Sequence, residues 1–271
     1  MQNRRKLNGL RTISELISLH GKRALITGAA TGIGQAVAHR FAEAGATLDL
    51  VDIDGERLQG VKDELSPFEV EITCHTTDLS DKEELDALWV ALKGRAPDIL
   101  MNNAGIYPLK SFLDTDEAFL EYVMQINLNA VFWMCQHMVR RRLNVGGVII
   151  NVGSIEALLP FKGDLAHYTI SKAGVLALTR TLAKEYGRRG FRVNAILPGG
   201  ILTQGVKNTA KEILHFNFGL IKSGLDFRSR LPLGRFGRPD EVALMALVLA
   251  SDLSSYVQGA LIPVDGGFLS T

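Results

Sequence analysis

Short, almost uninterrupted apolar segments alternate with longer amphipathic segments along most of the chain, and this alternation constrains the fold more than any other feature. The segment Val148-Ile-Ile-Asn-Val152 represents the short class, and residues 166–187 represent the long, helical class. An apolar run without a polar face is typical of a parallel strand that helices cover on both sides. The alternation therefore predicts an α/β fold with one doubly wound parallel sheet and helices on both of its faces.

Two stretches fall outside the alternation. Residues 1–18 precede the first predicted strand and are expected to form an extra helix or a loose tail, which leaves residues 19–271 as one domain. Residues 203–235 form the one long stretch without a clear strand, and a long connection in a compact domain is often a lid over a binding site. The predicted strands are residues 23–27, 47–51, 69–76, 98–101, 148–152, 191–197 and 261–264, and the predicted helices are 33–44, 55–65, 81–93, 116–141, 166–187 and 239–251.

The composition argues against several function classes. The 271 residues carry a formal net charge of only +1, so the chain lacks the clustered basic excess of a nucleic-acid-binding protein. The basic N-terminal residues Arg4, Arg5, Lys6 and Arg11 are interpreted as a solvated end. No apolar run approaches the length that spans a bilayer, and no signal peptide is recognisable at the start, so we expect no membrane and a cytoplasmic location.

The cysteines indicate a reducing environment. Cys74 and Cys135 lie within apolar patterns and belong to no metal-ligand spacing. Because 46% of the residues are hydrophobic, the chain can build a large core without disulfides. We therefore expect two buried free thiols and no metal site.

A glycine-rich turn follows the first predicted strand. Its residues, Thr27-Gly28-Ala-Ala-Thr31-Gly32-Ile33-Gly34, lie between that strand and a predicted helix. Glycine permits a tight turn and a close approach of the backbone to a pyrophosphate, and the helix N-terminus adds free N–H groups and partial positive charge. In this context the turn predicts a dinucleotide site rather than an ordinary strand–helix connection.

The end of the second predicted strand indicates which dinucleotide the chain prefers. Asp52 lies eighteen residues after Gly34, where a carboxylate can accept hydrogen bonds from an adenosine ribose and would repel a 2′-phosphate. Thr31 is neutral, so no basic side chain at that position would offset the repulsion. Both residues favour NAD over NADP. Asp52 could instead cap the next helix, although Asp54 could do so equally well.

A tyrosine and a lysine share one face of a predicted helix. Tyr168 and Lys172 are four residues apart, so their side chains are neighbours. An ammonium beside a phenol stabilises the phenolate and would bring the tyrosine pKa down from about 10 towards a range useful for proton transfer. Ser154 follows a strand, so its hydroxyl is expected at the sheet edge, where it can bind a substrate oxygen or cap a turn. Asn127 lies among apolar residues of a predicted helix, where it could hold a kink, a water or a local partner.

Together these residues resemble the short-chain dehydrogenase/reductase family in its ordinary, non-extended form. The resemblance covers residues 20–271, and it depends on all the motifs occurring in order, since any one of them alone is weak. The matching motifs are Thr27-Gly28-x3-Gly32-Ile33-Gly34, Asn102-Asn103-Ala104-Gly105, Asn127, Ser154, Tyr168-x3-Lys172, Pro198-Gly199 and Asp265-Gly266-Gly267.

The resemblance implies a single-domain Rossmann-type sheet in the order 3-2-1-4-5-6-7 and an oxidoreductase that interconverts an alcohol and a ketone or aldehyde. It also implies a catalytic tetrad of Asn127, Ser154, Tyr168 and Lys172. Ser154 would orient the substrate oxygen, and Tyr168 would donate or accept its proton. Lys172 would lower the tyrosine pKa and hold the nicotinamide ribose, while Asn127 would bind a water that relays the proton outward.

The resemblance assigns the remaining contacts as well. Asp78 and Leu79 match positions that contact adenine, and Asn103, Ala104 and Gly105 match a stretch that lines the cofactor. The segment from Pro198 through Ile201 to Thr203 matches the one that cradles the nicotinamide carboxamide, with Thr203 beside the phosphates. The family commonly assembles through the helices predicted here at 116–141 and 166–187, so a homotetramer or homodimer is expected.

One interval departs from the family pattern. The stretch from Ser154 to Tyr168 is one residue longer than usual, and the extra residue is expected near Lys162 to Asp164. This loop borders the substrate pocket, so the departure affects specificity more than chemistry. His167 adjoins Tyr168, but adjacent helical residues face apart, and it is therefore expected to be a surface or interface histidine.

Two alternative functions stay open. An NADPH-dependent reductase of 3-oxoacyl thioesters would look very similar, although Asp52 argues against it, and a non-catalytic dinucleotide sensor or scaffold would not need the intact tetrad. The small-molecule substrate is undetermined among sugars, polyols, hydroxysteroids and 3-hydroxyacyl compounds. Apolar residues that would suit a substrate pocket, and equally a core or an interface, are Leu158, Leu159, Phe161, Ile213, Leu214, Phe216 and Phe218.

Overall fold

The computed structural model describes residues 10–203 and 227–271. The strands in this part of the chain are β1 (Arg23–Thr27), β2 (Thr47–Asp52), β3 (Ile72–Thr76), β4 (Ile99–Asn102), β5 (Gly147–Val152), β6 (Phe191–Pro198) and β7 (Leu261–Val264). They form a parallel sheet in the order β3-β2-β1-β4-β5-β6-β7, which confirms the predicted doubly wound Rossmann-type fold. The order reverses between β1 and β4, and ligands bind such sheets in the crevice at this reversal, beyond the carboxyl ends of the strands.

Helices cover both faces of the sheet. Those in the described residues are α1 (Ile13–Ile17), α2 (Gly32–Glu43), α3 (Gly55–Glu64), α4 (Lys82–Ala91), α5 (Glu117–Met124), α6 (Ala130–Arg142), α7 (Ala166–Tyr186) and α8 (Pro239–Ala250). Ala24 and Ile26 of β1 pack with α2, α3 and α8 on one face, and Leu25 packs with α4, α6 and α7 on the other. Successive strand residues face opposite sides, so a strand covered on both sides has to be apolar throughout.

The helix predicted at 116–141 contains an irregular turn. A single turn of π-helix, Gln125–Asn129, joins α5 to α6, and the N–H of Ala130 bonds back to the carbonyl of Gln125. Asn127 lies in this turn with its side chain fully buried. Of the interpretations of this residue from the sequence, the structure therefore supports an irregularity in the helix, and single π-turns of this kind often occur at functional sites.

The third strand is shorter than predicted. Residues Ser66–Phe68 form a turn of 3₁₀-helix, and Glu69 has a left-handed backbone with φ of 55°. These two features interrupt the extended pattern expected from residue 69, and β3 begins at Ile72. Cys74 lies on this edge strand and is a half-buried free thiol, not the fully buried one expected, whereas Cys135 is buried and free.

The two stretches outside the alternation are described only in part. Thr12 caps α1 through a capping box with Glu15, and Arg11 forms an ion pair of 2.6 Å with Asp252, so residues 10–18 include the extra helix and residues 1–9 lie outside the description. Of the predicted lid, residues 204–226 lie outside the described residues, including Ile213, Leu214, Phe216 and Phe218. None of the described helices has the length and apolar character needed to cross a membrane.

Candidate active site

The backbone of the glycine turn lies unusually close to its neighbours. A Cβ atom on Gly34 would lie 2.0 Å from the carbonyl oxygen of Gly28, and one on Gly28 would lie 2.9 Å from Cα of Ala104. Gly28 and Gly32 also have left-handed backbones, with φ of +64° and +60°. Only glycine satisfies these constraints, and the same bare backbone is what lets a pyrophosphate approach.

The turn ends at a helix whose first N–H groups are available to an anion. Helix α2 begins at Gly32, and its N-cap residue Thr31 is exposed and makes no side-chain capping bond. Ile33 is half-buried and packs against the core beneath. A helix N-terminus without a side-chain cap presents N–H donors and partial positive charge, so this site fits a phosphate group of a dinucleotide.

Asn103 braces the turn from the next strand. Its side-chain amide donates to the carbonyl oxygens of Thr27 and Gly28, both at 3.0 Å. The Thr27 hydroxyl accepts the N–H groups of Asn103 and Ala104, at 3.0 and 3.1 Å. Four hydrogen bonds therefore lock the segment after β4 onto the end of β1, which fixes the cradle before any ligand arrives.

Asp52 holds the other side of the turn. One carboxylate oxygen accepts the N–H of Ala30 at 2.9 Å, and the other accepts the N–H of Asp54 at 3.1 Å. The cap of α3 is Asp54, which accepts the N–H of Arg57 at 3.0 Å, so the capping alternative for Asp52 is wrong. The negative charge of Asp52 is therefore half-buried at the end of β2, beside the glycine turn.

The contacts implied for adenine and for the nicotinamide end lie on the same edge of the sheet. The Asp78 carboxylate accepts the N–H and hydroxyl of Ser80, at 2.8 and 2.7 Å, while Leu79 packs into the core. Pro198 ends β6, and Ile201 is buried. Thr203 approaches the glycine turn, since a Cβ on Gly32 would lie 3.3 Å from its methyl carbon.

Ser154, Tyr168 and Lys172 meet at the end of β5. The Ser154 side chain lies beside the phenol of Tyr168 and lowers its pKa, and its oxygen accepts the N–H of Glu156 at 3.1 Å. The Lys172 ammonium donates to the carbonyl oxygen of Val152 at 2.9 Å and lies 5.8 Å from the centre of the Tyr168 ring. The structure thus brings together the three groups that the sequence predicts for proton transfer.

Asn127 reaches this cluster from the π-turn. Its side chain bonds both backbone groups of Ile106, at 2.8 and 2.9 Å, and donates to the Ser171 hydroxyl at 3.2 Å. A Cβ on Gly105 would lie 3.1 Å from the Asn127 carbonyl oxygen and 3.3 Å from the Lys172 nitrogen. Gly105 therefore lets Asn127 and Lys172 approach the same point of the chain.

Burial dominates the proton affinities of the cluster. Burial raises the pKa of Tyr168 to about 12, and the charge of Glu156 adds to this effect, while the hydrogen bond with Ser154 opposes it. Burial also lowers the pKa of Lys172 to about 8. The protein alone therefore does not give the lowered tyrosine pKa expected from Lys172, because desolvation of the phenolate outweighs the favourable contacts.

His167 is 2% exposed, so its prediction as a surface or interface histidine is wrong. Its Nε2 pairs with the carbonyl oxygen of Pro108 at 2.9 Å, and its ring packs edge-on against Phe119 with centroids 4.9 Å apart. The loop before α5, through Pro108, and α5 itself, through Phe119, cover the first turn of α7. The helical spacing of residues in α7 does not indicate this cover. Nδ1 of His167 is buried, and none of the described residues offers it a hydrogen-bond partner.

Two neighbours of Tyr168 were not identified from the sequence. The Tyr107 ring packs edge-on against the Tyr168 ring, with centroids 4.7 Å apart. Glu156 is 1% exposed and follows Ser154 by two residues. A carboxylate inside the otherwise apolar segment from Ile155 to Leu159 was the available signal, since charged residues are almost never buried without a reason.

A parallel sheet with a bare glycine turn at the strand-order reversal and a Ser–Tyr–Lys cluster at the same edge defines a Rossmann-type oxidoreductase that uses a nicotinamide dinucleotide. The family model described as enoyl-(acyl carrier protein) reductase matches residues 28–269. The chain belongs to the short-chain dehydrogenase/reductase family.

Relatives in this family act on different substrates. A 3-oxoacyl-(acyl-carrier-protein) reductase from Thermotoga maritima is 37% identical over 260 residues, covering 93% of this chain and 99% of the relative. A galactitol 2-dehydrogenase (L-tagatose-forming) from Cereibacter sphaeroides is 36% identical over 253 residues, covering 92% and 96%. The crystal structure of a short-chain dehydrogenase/reductase from Mycobacterium marinum superposes with a TM-score of 0.87 at 32% identity, covering 96% of this chain and all of that one. These similarities support alcohol–carbonyl oxidoreduction without specifying the substrate.

Proposed function

We propose that the protein is an NAD(H)-dependent oxidoreductase that interconverts an alcohol and a ketone or aldehyde, with Tyr168 as the acid/base. The observation that carries this proposal is the contact of the Tyr168 phenol with Ser154 at the end of β5, on the sheet edge that also holds the glycine turn. The bound nicotinamide supplies the hydride acceptor or donor, and everything else comes from the chain.

Each member of the cluster has one task in this proposal. Ser154, whose oxygen accepts the N–H of Glu156 and whose hydroxyl lies beside the Tyr168 phenol, would turn its proton to the substrate oxygen once the substrate is bound. Tyr168 takes the hydroxyl proton during oxidation and returns it during reduction. Lys172 holds the nicotinamide ribose and adds positive charge beside the phenol, and Asn127 positions a water for proton relay.

The cofactor contacts follow the same edge of the sheet. Backbone groups of the turn would hold the pyrophosphate, and Asp52 would hold the adenosine ribose. The residues proposed to bind NAD are Gly28, Thr31, Gly32, Ile33, Gly34, Asp52, Asp78, Leu79, Asn103, Ala104, Gly105, Tyr168, Lys172, Pro198, Ile201 and Thr203. We propose NAD because the Asp52 charge would repel a 2′-phosphate, although solved relatives include one complexed with NADH and one with bound NADP.

The alternative function is NADPH-dependent reduction of 3-oxoacyl thioesters. The similarity to the Thermotoga maritima reductase favours it. Asp52 opposes it, and so does Glu156, because a 3-oxoacyl thioester has no hydrogen-bond donor next to the reacting carbonyl for a buried carboxylate.

An NAD reduction screen over alcohols, sugars and polyols tests the proposal, with NADP in parallel. We expect turnover with NAD for at least one class, and no turnover in Tyr168→Phe although that variant still binds NADH. Preference for NADP contradicts the cofactor assignment. Equal function of Tyr168→Phe and the wild type contradicts catalysis and favours a dinucleotide sensor or scaffold.

We also propose a homotetramer or homodimer in the cytoplasm. The support for self-association is a set of exposed apolar side chains on α5, α6 and α7, among them Tyr122 at 54%, Phe132 at 43% and Ile170 at 55% exposure. The support for a reducing compartment is that both cysteines are free. Light scattering at several protein concentrations measures the assembly, and a monomer at all of them contradicts the first part.

A further inference from the structure

Glu156 has an unusual position for a carboxylate. It lies in the 3₁₀ turn Ile155–Ala157 directly after Ser154, is 1% exposed, and its own N–H bonds the Ser154 hydroxyl oxygen. Burial raises the pKa of this carboxyl group. Burial of an acidic group costs free energy, so a carboxylate retained at this depth needs partners or a role.

Residues 10–203 and 227–271 supply partners for only one of its two oxygens. Oε1 accepts the backbone N–H groups of Phe161 and Lys162, at 3.3 and 3.4 Å, and so ties down the loop of residues 158–164 that contains the extra residue. Oε2 is buried and has no hydrogen-bond partner in the part of the chain that the structure describes. An unpaired buried acceptor costs free energy, and a ligand able to donate a hydrogen bond would remove this penalty.

Glu156 lies at the reacting end of the site. Its N–H bonds the Ser154 hydroxyl oxygen at 3.1 Å, and its charge raises the pKa of both Tyr168 and Tyr107, whose rings are in contact. Tyr168 is half-buried, and Ser154 is only 9% exposed. Whatever opening admits a substrate to Tyr168 therefore exposes the surroundings of Glu156 too.

Building on the proposed function, we propose that Glu156 is a specificity-determining residue, which accepts a hydrogen bond from a hydroxyl on the carbon next to the reacting one. The substrate is then a polyol or sugar with vicinal hydroxyls. A simple secondary alcohol or a 3-oxoacyl thioester leaves Oε2 unpaired. A site built to bond a substrate hydroxyl discriminates strongly against the analogue that lacks it.

The test compares alcohols that differ in the neighbouring hydroxyl: propylene glycol with isopropanol, and inositol with cyclohexanol. For the wild type with NAD, we expect kcat/KM to favour the vicinal compound by about 10- to 100-fold. In Glu156→Gln, the amide oxygen still serves Phe161 and Lys162 while the amide NH₂ replaces the acceptor. This preference should therefore fall about tenfold, and Glu185→Gln, on the exposed surface of α7, should retain it.

Calorimetry of the Tyr168→Phe protein with NAD and each alcohol measures the same preference without turnover. Stronger binding of inositol than of cyclohexanol, lost when Glu156→Gln is added, supports the proposal. No preference in turnover or binding overturns it, and so does a preference that Glu156→Gln leaves intact. If no alcohol is oxidised, the proposed function fails, and the binding comparison still decides the role of Glu156.

Discussion

The two halves of the sheet edge differ in how completely their polar groups are paired. On the β1–β2–β4 side, both oxygens of Asp52 and the amide of Asn103 bond the backbone around the glycine turn. On the β5 side, Glu156 and His167 each keep one buried atom without a partner. In the first half, hydrogen bonds within the chain therefore pair these polar groups. The second half retains buried polar atoms for which the described residues supply no partner.

The comparison between the two halves of the sheet edge predicts that the largest effect on NADH binding comes from a substitution at Gly34. In Gly34→Ala the added methyl group would collide with the Gly28 carbonyl, which lies 2.0 Å from its ideal position, so the cradle has to open. We expect NADH binding to weaken by about 100-fold or more, measured by fluorescence titration. Gly60→Ala is the matched control, because a Cβ there meets nothing within 4 Å and should stabilise α3 slightly. Unchanged NADH binding in Gly34→Ala would show that the cradle is not preformed.

The sequence predicts the half around the glycine turn well and the β5 half only in part. Glycine turns, strand ends and a Tyr-x3-Lys spacing are local signals, and the residues they identify at positions 28–34, 52 and 168–172 all lie on one edge. Burial of His167 and the unpaired oxygen of Glu156 depend on which loops cover them, which no local pattern encodes. The π-turn at Asn127 likewise arises from side-chain bonds to Ile106, a distant segment.

A second prediction is that Lys172 costs stability. Because burial lowers its pKa to about 8, the native protein binds fewer protons here than the unfolded chain between about pH 8 and the ordinary lysine pKa of about 10.4, and the charged lysine destabilises the fold fully below that interval. Lys172→Met should therefore unfold with a free energy about 1–3 kcal/mol higher at pH 7, measured by urea denaturation. This advantage should be full below pH 8 and shrink as the pH rises towards about 10.4. A Lys172→Met variant less stable than the wild type at pH 7 would contradict this prediction, because it would show that Lys172 stabilises the fold.

A third and smaller effect is expected at Asp52. Asp52→Asn keeps an acceptor for the Ala30 N–H and removes the charge that would repel a 2′-phosphate. We expect kcat/KM with NADP to rise about tenfold relative to NAD, which corresponds to about 1.4 kcal/mol. Glu56→Gln, an exposed neutralisation in the first turn of α3, is the control. An unchanged ratio of kcat/KM with NADP to kcat/KM with NAD would mean that Asp52 only holds the glycine turn in place and does not select the cofactor.

Hydride transfer in Tyr168→Phe with saturating NAD tests the central claim most directly. The variant removes one hydroxyl and keeps the ring that packs on Tyr107. Formation of reduced cofactor in a single turnover should slow by about 10³-fold, while NADH binding stays within about twofold of the wild type. Single-turnover rates equal to those of the wild type would contradict Tyr168 as the acid/base.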